Sequence, residues 1–324
     1  MKAIVQNIYG PPEVLQLEDI RTPDVGVNDI LVRVRAAGVD AGVWHLMSGR
    51  PFLLRLFGFG LRKPKVRVRG LDVAGTVEAV GANVVRFRPG DEVYGTSLQG
   101  TYAQYTRTTE DKLAPKPSNL SFEQAAAVPV SACAALHGLR DAGQLQPGQK
   151  VLVIGAGGGV GSFAVQLAKV FGAEVTGVCS AAKTDLVRSV GADHVIDYAI
   201  ADFANGTELY DLILDTAGNN SLSRLRRALT RRGTLVIVGG EGGGRWLGGF
   251  DRQLRALLVS MVVSQKIHGL VSAERPEDLE DLRALIESGQ VTPAIDRMYP
   301  LEEVPDAIKY QHEGTTRGKL VIRI

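Results

Sequence analysis

Residues 151–161 read Val-Leu-Val-Ile-Gly-Ala-Gly-Gly-Gly-Val-Gly, and they are the most informative part of the chain. The first four are apolar, as in a buried strand, and five glycines occupy the next seven positions. A helical pattern follows from Ser162 to Phe171. Glycine turns let phosphate oxygens approach the backbone, and a helix N-terminus presents free N–H groups and the positive end of its dipole. The segment therefore predicts a turn that cradles a pyrophosphate.

The spacing of these glycines fits one frame of the dinucleotide pattern and not another. Counted from Gly155, the strict G-x-G-x-x-G pattern fails because Val160 occupies the last glycine position. Counted from Ala156, the segment reads A-x-G-x-x-G, with Gly158 and Gly161 in register. Glycine turns also join strands to helices that bind no ligand, so the turn needs support from the rest of the sequence.

Strand and helix patterns alternate from about residue 150 to residue 240. Gly172 and Gly191 stand where helices of this pattern end, as glycine commonly does. Alternation at this spacing predicts an α/β domain with a doubly wound parallel sheet covered by helices. The predicted strands are 151–154, 174–179, 194–197, 212–215 and 234–238, and the predicted helices are 162–171, 184–190 and 221–229.

The first 120 residues have a different pattern: short predicted strands, flanked by Gly and Pro, at 31–35, 74–80 and 91–94. This pattern is typical of an antiparallel, barrel-like domain. A helix at about 305–310 and a strand at 319–323 end the chain. Periodicity leaves open whether this C-terminal segment rejoins the first domain or extends the second.

Composition places limits on the class of protein. A length of 324 residues suits two domains, and 45% hydrophobic with 22% charged residues is typical of a globular chain. A net charge of +2 argues against a nucleic-acid partner, and the apolar segment 256–263 is too short to span a membrane. Cys133 and Cys179 form no metal-binding or disulfide pattern. We therefore expect a cytoplasmic protein with no membrane partner.

Several segments in order resemble the medium-chain dehydrogenase/reductase superfamily, and within it the zinc-independent quinone oxidoreductase branch. They are residues 1–5 (MKAIV), 70–81, 88–94, 100–105, the glycine turn, 190–198 and 318–321. The resemblance implies a GroES-like β-barrel domain formed by 1–124 and 270–324, into which the C-terminal segment returns. It implies a Rossmann NADP-binding domain at 125–269, a cleft between the domains, and hydride transfer that depends on NAD(P).

Zinc alcohol dehydrogenases of this superfamily carry a Cys and a His at positions that hold Asp40 and Leu71 in this chain. No cysteine lies between Tyr94 and Gly100, so the structural zinc lobe is absent as well. His45 with Asp40 and Asp72 remains a weak alternative site, and we favour the interpretation that binds no metal. Without a Lewis acid to stabilise an alkoxide, the expected acceptors are already electrophilic: quinones, or alkenes conjugated to a carbonyl.

The residues after the second strand of the parallel sheet favour NADPH. A carboxylate there would bind the ribose 2′-hydroxyl of NAD, but the strand 174–179 is followed by Ser180 and, shortly after, Lys183. By resemblance, these two residues and Tyr198 form a clamp for a 2′-phosphate. The alternative for Lys183 is an ordinary solvated side chain, although a lysine at a helix start opposes the helix dipole.

Further cofactor contacts follow from the turn and from the resemblance. Asp215 to Gly218 and Val238 to Gly240 end parallel strands, where ligands bind in open sheets. A threonine hydroxyl that the resemblance implies is missing at Ala134, and we expect either Ser131 or Cys133 to compensate for it, unless Cys133 is simply a small buried side chain. Arg317 is either a phosphate contact or a solvated side chain. The expected cofactor-binding residues are Ser131, Ala156, Gly157, Gly158, Gly159, Val160, Gly161, Ser180, Lys183, Tyr198, Ala217, Gly239 and Arg317.

Asp40 and Tyr94 are the candidates for catalysis, with Tyr102 as a further hydroxyl, and no metal ligand is expected. Asp40 either orients substrate and relays a proton or caps the helix that follows it. Tyr94 and Tyr102 offer hydroxyls near the cleft or simply pack in the core. Residues 50–70 carry seven basic side chains and no acid, which indicates a surface loop or a substrate lid.

The sequence thus predicts an NADPH-dependent, zinc-independent reductase of small-molecule quinones or enones. Enoyl-thioester reduction and zinc-dependent alcohol oxidation are the alternatives among enzymes, and a non-catalytic NADPH-binding regulatory or RNA-binding protein is the alternative outside them. The apolar segment from Leu257 through Val263 to Ile267 predicts pairing of sheet edges in a homodimer.

Overall fold

The computed structural model describes residues 1–239, 246, 248, 250–260 and 263–324. The described residues form fifteen strands: β1 (Lys2–Gln6), β2 (Leu15–Asp19), β3 (Asp29–Val39), β4 (Asp72–Val80), β5 (Glu92–Thr96), β6 (Tyr105–Thr109), β7 (Leu113–Pro115), β8 (Lys150–Ile154), β9 (Glu174–Cys179), β10 (His194–Asp197), β11 (Tyr210–Asp215), β12 (Leu229–Ile237), β13 (Lys266–Gly269), β14 (Ile295–Pro300) and β15 (Lys319–Arg323).

Ten helices accompany these strands in the described part of the chain, joined by short 3₁₀ and π turns. They are α1 (Ala41–Ser48), α2 (Phe52–Leu54), α3 (Phe122–Ala126), α4 (Pro129–Leu136), α5 (Gly159–Val170), α6 (Thr184–Ser189), α7 (Leu222–Arg227), α8 (Phe250–Ser260), α9 (Pro276–Glu287) and α10 (Val304–His312). None of the helices in these described ranges has both the length and the apolar character needed to cross a lipid bilayer.

The chain divides into two compact units, one of residues 1–133 with 274–324 and one of residues 134–273. These divisions fall later than the expected domain bounds of 1–124 with 270–324 and 125–269. The first unit continues past residue 124 because α3 packs on β3 and β4, and because the backbone N–H of Val130 donates to Asp72 at 2.8 Å. It resumes at Glu274, whose carbonyl oxygen accepts a hydrogen bond from Lys112 at 3.3 Å.

The first unit is built on a seven-stranded sheet in the order β14-β15-β3-β4-β5-β7, with β6 also paired to β3. The terminal strand β15 runs antiparallel to β3, with Leu320 opposite Val39 and Ile322 opposite Ala37. The C-terminal segment therefore rejoins the first domain, as the resemblance implied. Its leucine and isoleucine side chains are fully buried in the same core as Ile30.

Strand β3 shows how the sequence pattern selects this sheet. Val32 and Val34 are buried while Arg33 and Arg35 between and after them are exposed, which is the alternation expected of a half-buried strand. The strand extends to Val39, beyond the predicted 31–35, because the small residues that follow are buried against β4 and β15.

The second unit contains a six-stranded parallel sheet in the order β10-β9-β8-β11-β12-β13. This confirms the Rossmann architecture predicted from the alternating patterns, and β9 and β10 have the bounds expected from the sequence. The predicted helix 221–229 is shorter, because Leu229 pairs with Tyr210 and begins a strand. Gly172 adopts a positive φ of 78° after α5, as a glycine that ends a helix does.

The segment expected to pair sheet edges is partly helix and partly strand. Helix α8 ends at Ser260, and β13 forms the outer strand next to β12. Met261 and Val262, which belong to the same predicted segment, lie outside the described residues.

We expect Leu320→Ala to lower the free energy of unfolding by about 2–5 kcal/mol, because it leaves a cavity in the core of the first unit. Leu17→Ala is the matched control, since Leu17 is also in a strand but is 40% exposed, and its effect should stay within about 0.5 kcal/mol. Urea unfolding followed by circular dichroism measures both. Equal losses for the two variants would contradict the burial of β15.

Candidate functional site

The glycine turn lies between β8 and α5 in the second unit. Gly155 has a positive φ of 83°, and the N–H groups of Gly155 and Ala156 both donate to the carbonyl of Val178 at 3.0 Å. Gly158 is the N-cap residue of α5, so the first N–H groups of this 12-residue helix face the turn. The predicted strand, turn and helix are therefore all present at the carboxyl end of β8.

Gly161 has no space for a side chain. A Cβ atom there would lie 2.1 Å from the carbonyl oxygen of Gly155 and 2.7 Å from Cα of Ala156. Helix α5 consequently packs directly on the backbone of the turn. Ala156, Gly157 and Gly161 are buried in this contact, whereas Gly158, Gly159 and Val160 remain half-buried. In the A-x-G-x-x-G frame that starts at Ala156, the last glycine is Gly161, and the close packing of α5 explains why this position requires glycine.

The residues predicted to clamp a 2′-phosphate end two neighbouring strands. Ser180 directly follows β9, and Tyr198 follows β10, with its N–H donating to the carbonyl of Cys179 at 3.2 Å. The stem of Lys183 lies against the turn, since a Cβ added to Gly157 would stand 2.7 Å from Cβ of Lys183. The fold thus brings Lys183 to the glycine turn and places Ser180 and Tyr198 on adjacent strand ends.

The carboxyl end of β11 contains a buried ion pair that the sequence did not indicate. Asp215 is fully buried, accepts hydrogen bonds from the N–H groups of Ala217 at 3.3 Å and Gly218 at 3.2 Å, and pairs with Arg252 on α8. Gly239 donates its N–H to the carbonyl of Asp215 at 3.3 Å. Both predicted backbone contacts, Ala217 and Gly239, are therefore positioned by this aspartate.

The same strand end adjoins the glycine turn. The hydroxyl of Thr216 donates to the carbonyl of Ile154 at 2.8 Å, and a Cβ on Gly155 would lie 2.5 Å from that hydroxyl. The expected cofactor residues of the second unit are thus gathered at the carboxyl ends of β8, β9, β10, β11 and β12, where ligands bind in open parallel sheets.

The first unit contains a buried group of Lys319, Asp40, Asp72 and Ser131, which we call the Lys319 cluster. The ammonium of Lys319 donates to Asp40, to Oδ2 of Asp72 at 3.2 Å and to Oγ of Ser131 at 3.1 Å. The four residues are between 0% and 6% exposed. They meet because β3 pairs with both β4 and β15, so that Asp40, Asp72 and Lys319 come together at strand ends beside α4.

Burial and charge set the protonation of the Lys319 cluster. Burial, with the neighbouring charge of Asp40, raises the pKa of Asp72 well above its usual range, and Lys319 only partly opposes this. Burial alone would lower the pKa of Lys319, but the two carboxylates outweigh it and raise that pKa. Oδ2 of Asp40 is buried and accepts no hydrogen bond from the described residues.

The candidate catalytic side chains differ in what they contact. Asp40 occupies the N-cap position of α1 but makes no capping hydrogen bond, because its carboxylate contacts Lys319 instead. The hydroxyl of Tyr94 donates to the carbonyl of Leu279 at 2.5 Å, and burial raises its pKa. Tyr102 likewise donates to the carbonyl of Gly38 at 3.2 Å, and burial raises its pKa. Both tyrosine hydroxyls are committed to backbone oxygens.

Other predicted residues lie apart from this cluster. Arg317 is exposed, and its backbone N–H donates to Asp296 at 2.9 Å. Nδ1 of His45 contacts the carbonyl of Arg50 at 3.0 Å. Over the described ranges, no three or more His, Cys, Asp or Glu side chains are grouped so that they could hold a metal ion.

Three of the seven basic side chains in the segment 50–70 are engaged within the first unit. Arg55 stacks on Tyr9, with its guanidinium 4.2 Å from the ring centroid. Arg67 pairs with Glu18 at 3.1 Å, and burial lowers the pKa of Arg69 to about 10. Arg55 and Arg67 therefore anchor the segment to the N-terminal part of the first unit, whereas Arg62, near the middle of the segment, is exposed.

We expect Gly161→Ala to lower the free energy of unfolding by about 1–3 kcal/mol, because its Cβ would collide with the backbone of the turn. Gly158→Ala is the control, since its Cβ would meet its nearest atom at an ordinary 3.4 Å. Urea unfolding of both variants without coenzyme gives the comparison. If Gly161→Ala proved as stable as Gly158→Ala, the close packing of α5 on the turn would be refuted.

Comparison with known proteins agrees with this architecture. The chain matches the family models "Alcohol dehydrogenase GroES-like domain" over residues 26–118 and "Zinc-binding dehydrogenase" over residues 190–322. It is 34% identical over 337 residues to the 2-methylene-furan-3-one reductase of Solanum lycopersicum, covering 99% of this chain and 79% of that protein. It is 32% identical over 336 residues to the chloroplastic NADPH-dependent alkenal/one oxidoreductase of Arabidopsis thaliana, with the same coverage of 99% and 79%.

A solved structure of a related protein has the same fold. The quinone oxidoreductase of Escherichia coli complexed with NADPH superimposes with a TM-score of 0.85 at 26% identity, covering 100% of both chains. Together with the two-unit fold and the glycine turn, these likenesses identify the family. The chain belongs to the medium-chain dehydrogenase/reductase superfamily, in its quinone oxidoreductase and alkenal/one reductase branch, and it is an NAD(P)H-dependent oxidoreductase.

Proposed function

We propose that this protein uses NADPH to reduce quinones or α,β-unsaturated carbonyl compounds, without zinc. The observation that carries the proposal is the contact between the stem of Lys183 and the glycine turn, beside Ser180 at the end of β9. An ammonium and a hydroxyl at this point suit the extra phosphate of NADPH, whereas NAD-specific sites place a carboxylate at the same point. The names of two of the relatives also include NADPH.

The shape of the glycine turn supports the proposed place of the coenzyme in the second unit. Gly161 lets α5 pack directly on the turn, so that the first N–H groups of this helix face the point where a pyrophosphate would bind. The other residues proposed to hold the coenzyme are Ala156, Gly157, Gly158, Gly159, Val160, Tyr198, Ala217 and Gly239, with Ser131 and Arg317 from the first unit. When bound, reduced nicotinamide supplies a hydride to the acceptor.

The acceptor class follows from what the chain offers to it. An alcohol needs a Lewis acid to become a hydride donor, but quinones and enones accept hydride directly. Relatives of this chain carry the names of a furanone reductase, an alkenal/one oxidoreductase and a quinone oxidoreductase. Asp40 is proposed to orient the acceptor or relay a proton to it, because one carboxylate oxygen is held by Lys319 and the other accepts no hydrogen bond from the described residues. We assign no proton transfer to Tyr94.

Lys183→Ala should weaken NADPH binding by about 10–100-fold, because a charge-assisted hydrogen bond contributes about 1.5–3 kcal/mol and 1.4 kcal/mol is tenfold. NADH lacks this phosphate, so the affinity of the variant for NADH should fall by less than about threefold. Calorimetry with both coenzymes measures this. Lys169→Ala is the control, since Lys169 is in the last turn of α5 and pairs with Asp193 at 2.8 Å. Equal weakening of both coenzymes would refute the 2′-phosphate clamp.

The reaction itself is tested with a panel of acceptors, following the absorbance of NADPH. A simple quinone, an alkenal, a cyclic enone and an enoyl thioester are compared, with and without a chelator, and an alcohol is tested with NADP⁺. We expect turnover of the quinone or the enones, unaffected by the chelator. Tight NADPH binding with no turnover of any acceptor would favour the non-catalytic alternative, and turnover of the alcohol alone would favour the zinc-type enzyme.

We further propose a homodimer formed through the outer strand β13. The described sheet ends at this strand, and an unpaired edge is a ready site for pairing with a second copy. Light scattering after gel filtration should give twice the chain mass of 34.7 kDa. A mass equal to that of one chain, at the concentrations used for the assay, would contradict the dimer.

A further inference from the structure

The Lys319 cluster has the donor atoms of a site for a hard cation. Its lining is two carboxylates and one hydroxyl, the ligand types that Mg²⁺, Mn²⁺ and Ca²⁺ take in proteins. The position between them is filled by the ammonium of Lys319, which contacts Asp40, Asp72 and Ser131. All four side chains are buried, so solvent does not supply the compensating charge.

These residues do not fit the zinc ion implied by the name of the family model that matches residues 190–322. Asp40 stands where zinc relatives have a thiolate, Leu71 stands where they have an imidazole, and His45 contacts the carbonyl of Arg50. More decisively, a positive group already lies between the carboxylates of Asp40 and Asp72. A second cation at this point would be repelled by the first.

We infer that Lys319 is a built-in cation, which takes the place that a metal ion takes in an oxygen-lined site and holds Asp40 against Asp72. The ammonium cannot diffuse away, because the backbone N–H of Lys319 donates to Ala294 at 2.8 Å and β15 is paired along β3. It follows that the same oxygen atoms bind a divalent cation when the ammonium is removed.

The charge balance of the cluster agrees with this exchange. One ammonium carries a single positive charge, whereas it contacts the carboxyl groups of both Asp40 and Asp72. Oδ2 of Asp40 is buried and accepts no hydrogen bond from the residues described, so a carboxylate oxygen is available for a ligand in the cluster. A divalent ion carries the charge that would neutralise both carboxylates.

The packing around Asp72 is close on the side of Gly38. A Cβ on Gly38 would lie 2.6 Å from Oδ2 of Asp72 and 2.5 Å from the carbonyl oxygen of Ala126. Space for an ion must therefore come from the lysine side chain itself. Replacement by alanine removes the ammonium and its stem in one step.

The test uses the full chain, with Mn²⁺ as the probe because its binding is followed directly by electron paramagnetic resonance. We expect Lys319→Ala to bind stoichiometric Mn²⁺ and to gain thermal stability from it. The wild type, and Lys309→Ala with its exposed lysine on α10, should do neither. The double variant Lys319→Ala/Asp72→Asn removes one carboxylate and should lose the Mn²⁺ binding.

Folding is controlled by preparing each variant with and without Mn²⁺. Lys319→Ala should be less stable than the wild type without the ion, and Mn²⁺ should restore much of the loss. Folded Lys319→Ala that binds no more Mn²⁺ than the wild type would overturn the inference. Aggregation of this variant in both conditions would overturn it too, because the ion then fails to replace the ammonium. None of these outcomes depends on the coenzyme or on the substrate of the enzyme.

Discussion

One buried ammonium connects parts of the first unit that lie far apart in the sequence. Lys319 contacts Asp72 across 247 residues and Asp40 across 279, and it also contacts Ser131 in α4. Removing one partner from a buried pair leaves an uncompensated charge, which costs about 3–5 kcal/mol. The return of the C-terminal strand to the barrel is therefore specified by charge as well as by the apolar side chains of β15.

In the second unit, close backbone packing holds distant segments together. Helix α5 rests on the turn at Gly161, and the hydroxyl of Thr216 ties the end of β11 to the end of β8. Asp215 then fixes the loops that contain Ala217 and Gly239 through backbone hydrogen bonds and its pair with Arg252. The strand ends proposed to receive the coenzyme are therefore held together by contacts within the protein itself.

Local patterns predicted the positions of the strands and helices well, because the spacing of apolar residues can be read from neighbouring residues. The alternation in β3, the buried strand before the glycine turn and the terminal strand 319–323 are all found as expected. The buried polar contacts could not be predicted from local patterns, because they depend on the pairing of strands that are far apart in the sequence. Lys319 looks like an ordinary strand lysine until β15 is placed beside β3, and Asp72 looks structural until its neighbours are known.

The site residues also divide into those that the sequence predicts and those whose partners only the fold reveals. Ser180 and Lys183 are predicted from their positions after a strand, and Tyr198 is predicted from the family resemblance. The sheet order places the ends of β9 and β10 side by side. Arg252 had no local signal, since its partner Asp215 lies on another element. Tyr94 has the chemistry of a proton donor, but only the fold reveals that Leu279 accepts its hydrogen bond.

The contact between Lys183 and Gly157 has an evolutionary consequence. Because the lysine stem covers the α-carbon of this glycine, any larger residue at position 157 would push the lysine away from the turn. The two positions therefore cannot vary independently. A lineage that exchanged Gly157 for alanine would displace the positive charge of Lys183 without mutating the lysine. Its preference for the phosphorylated over the unphosphorylated dinucleotide would then change as a consequence of the substitution in the turn.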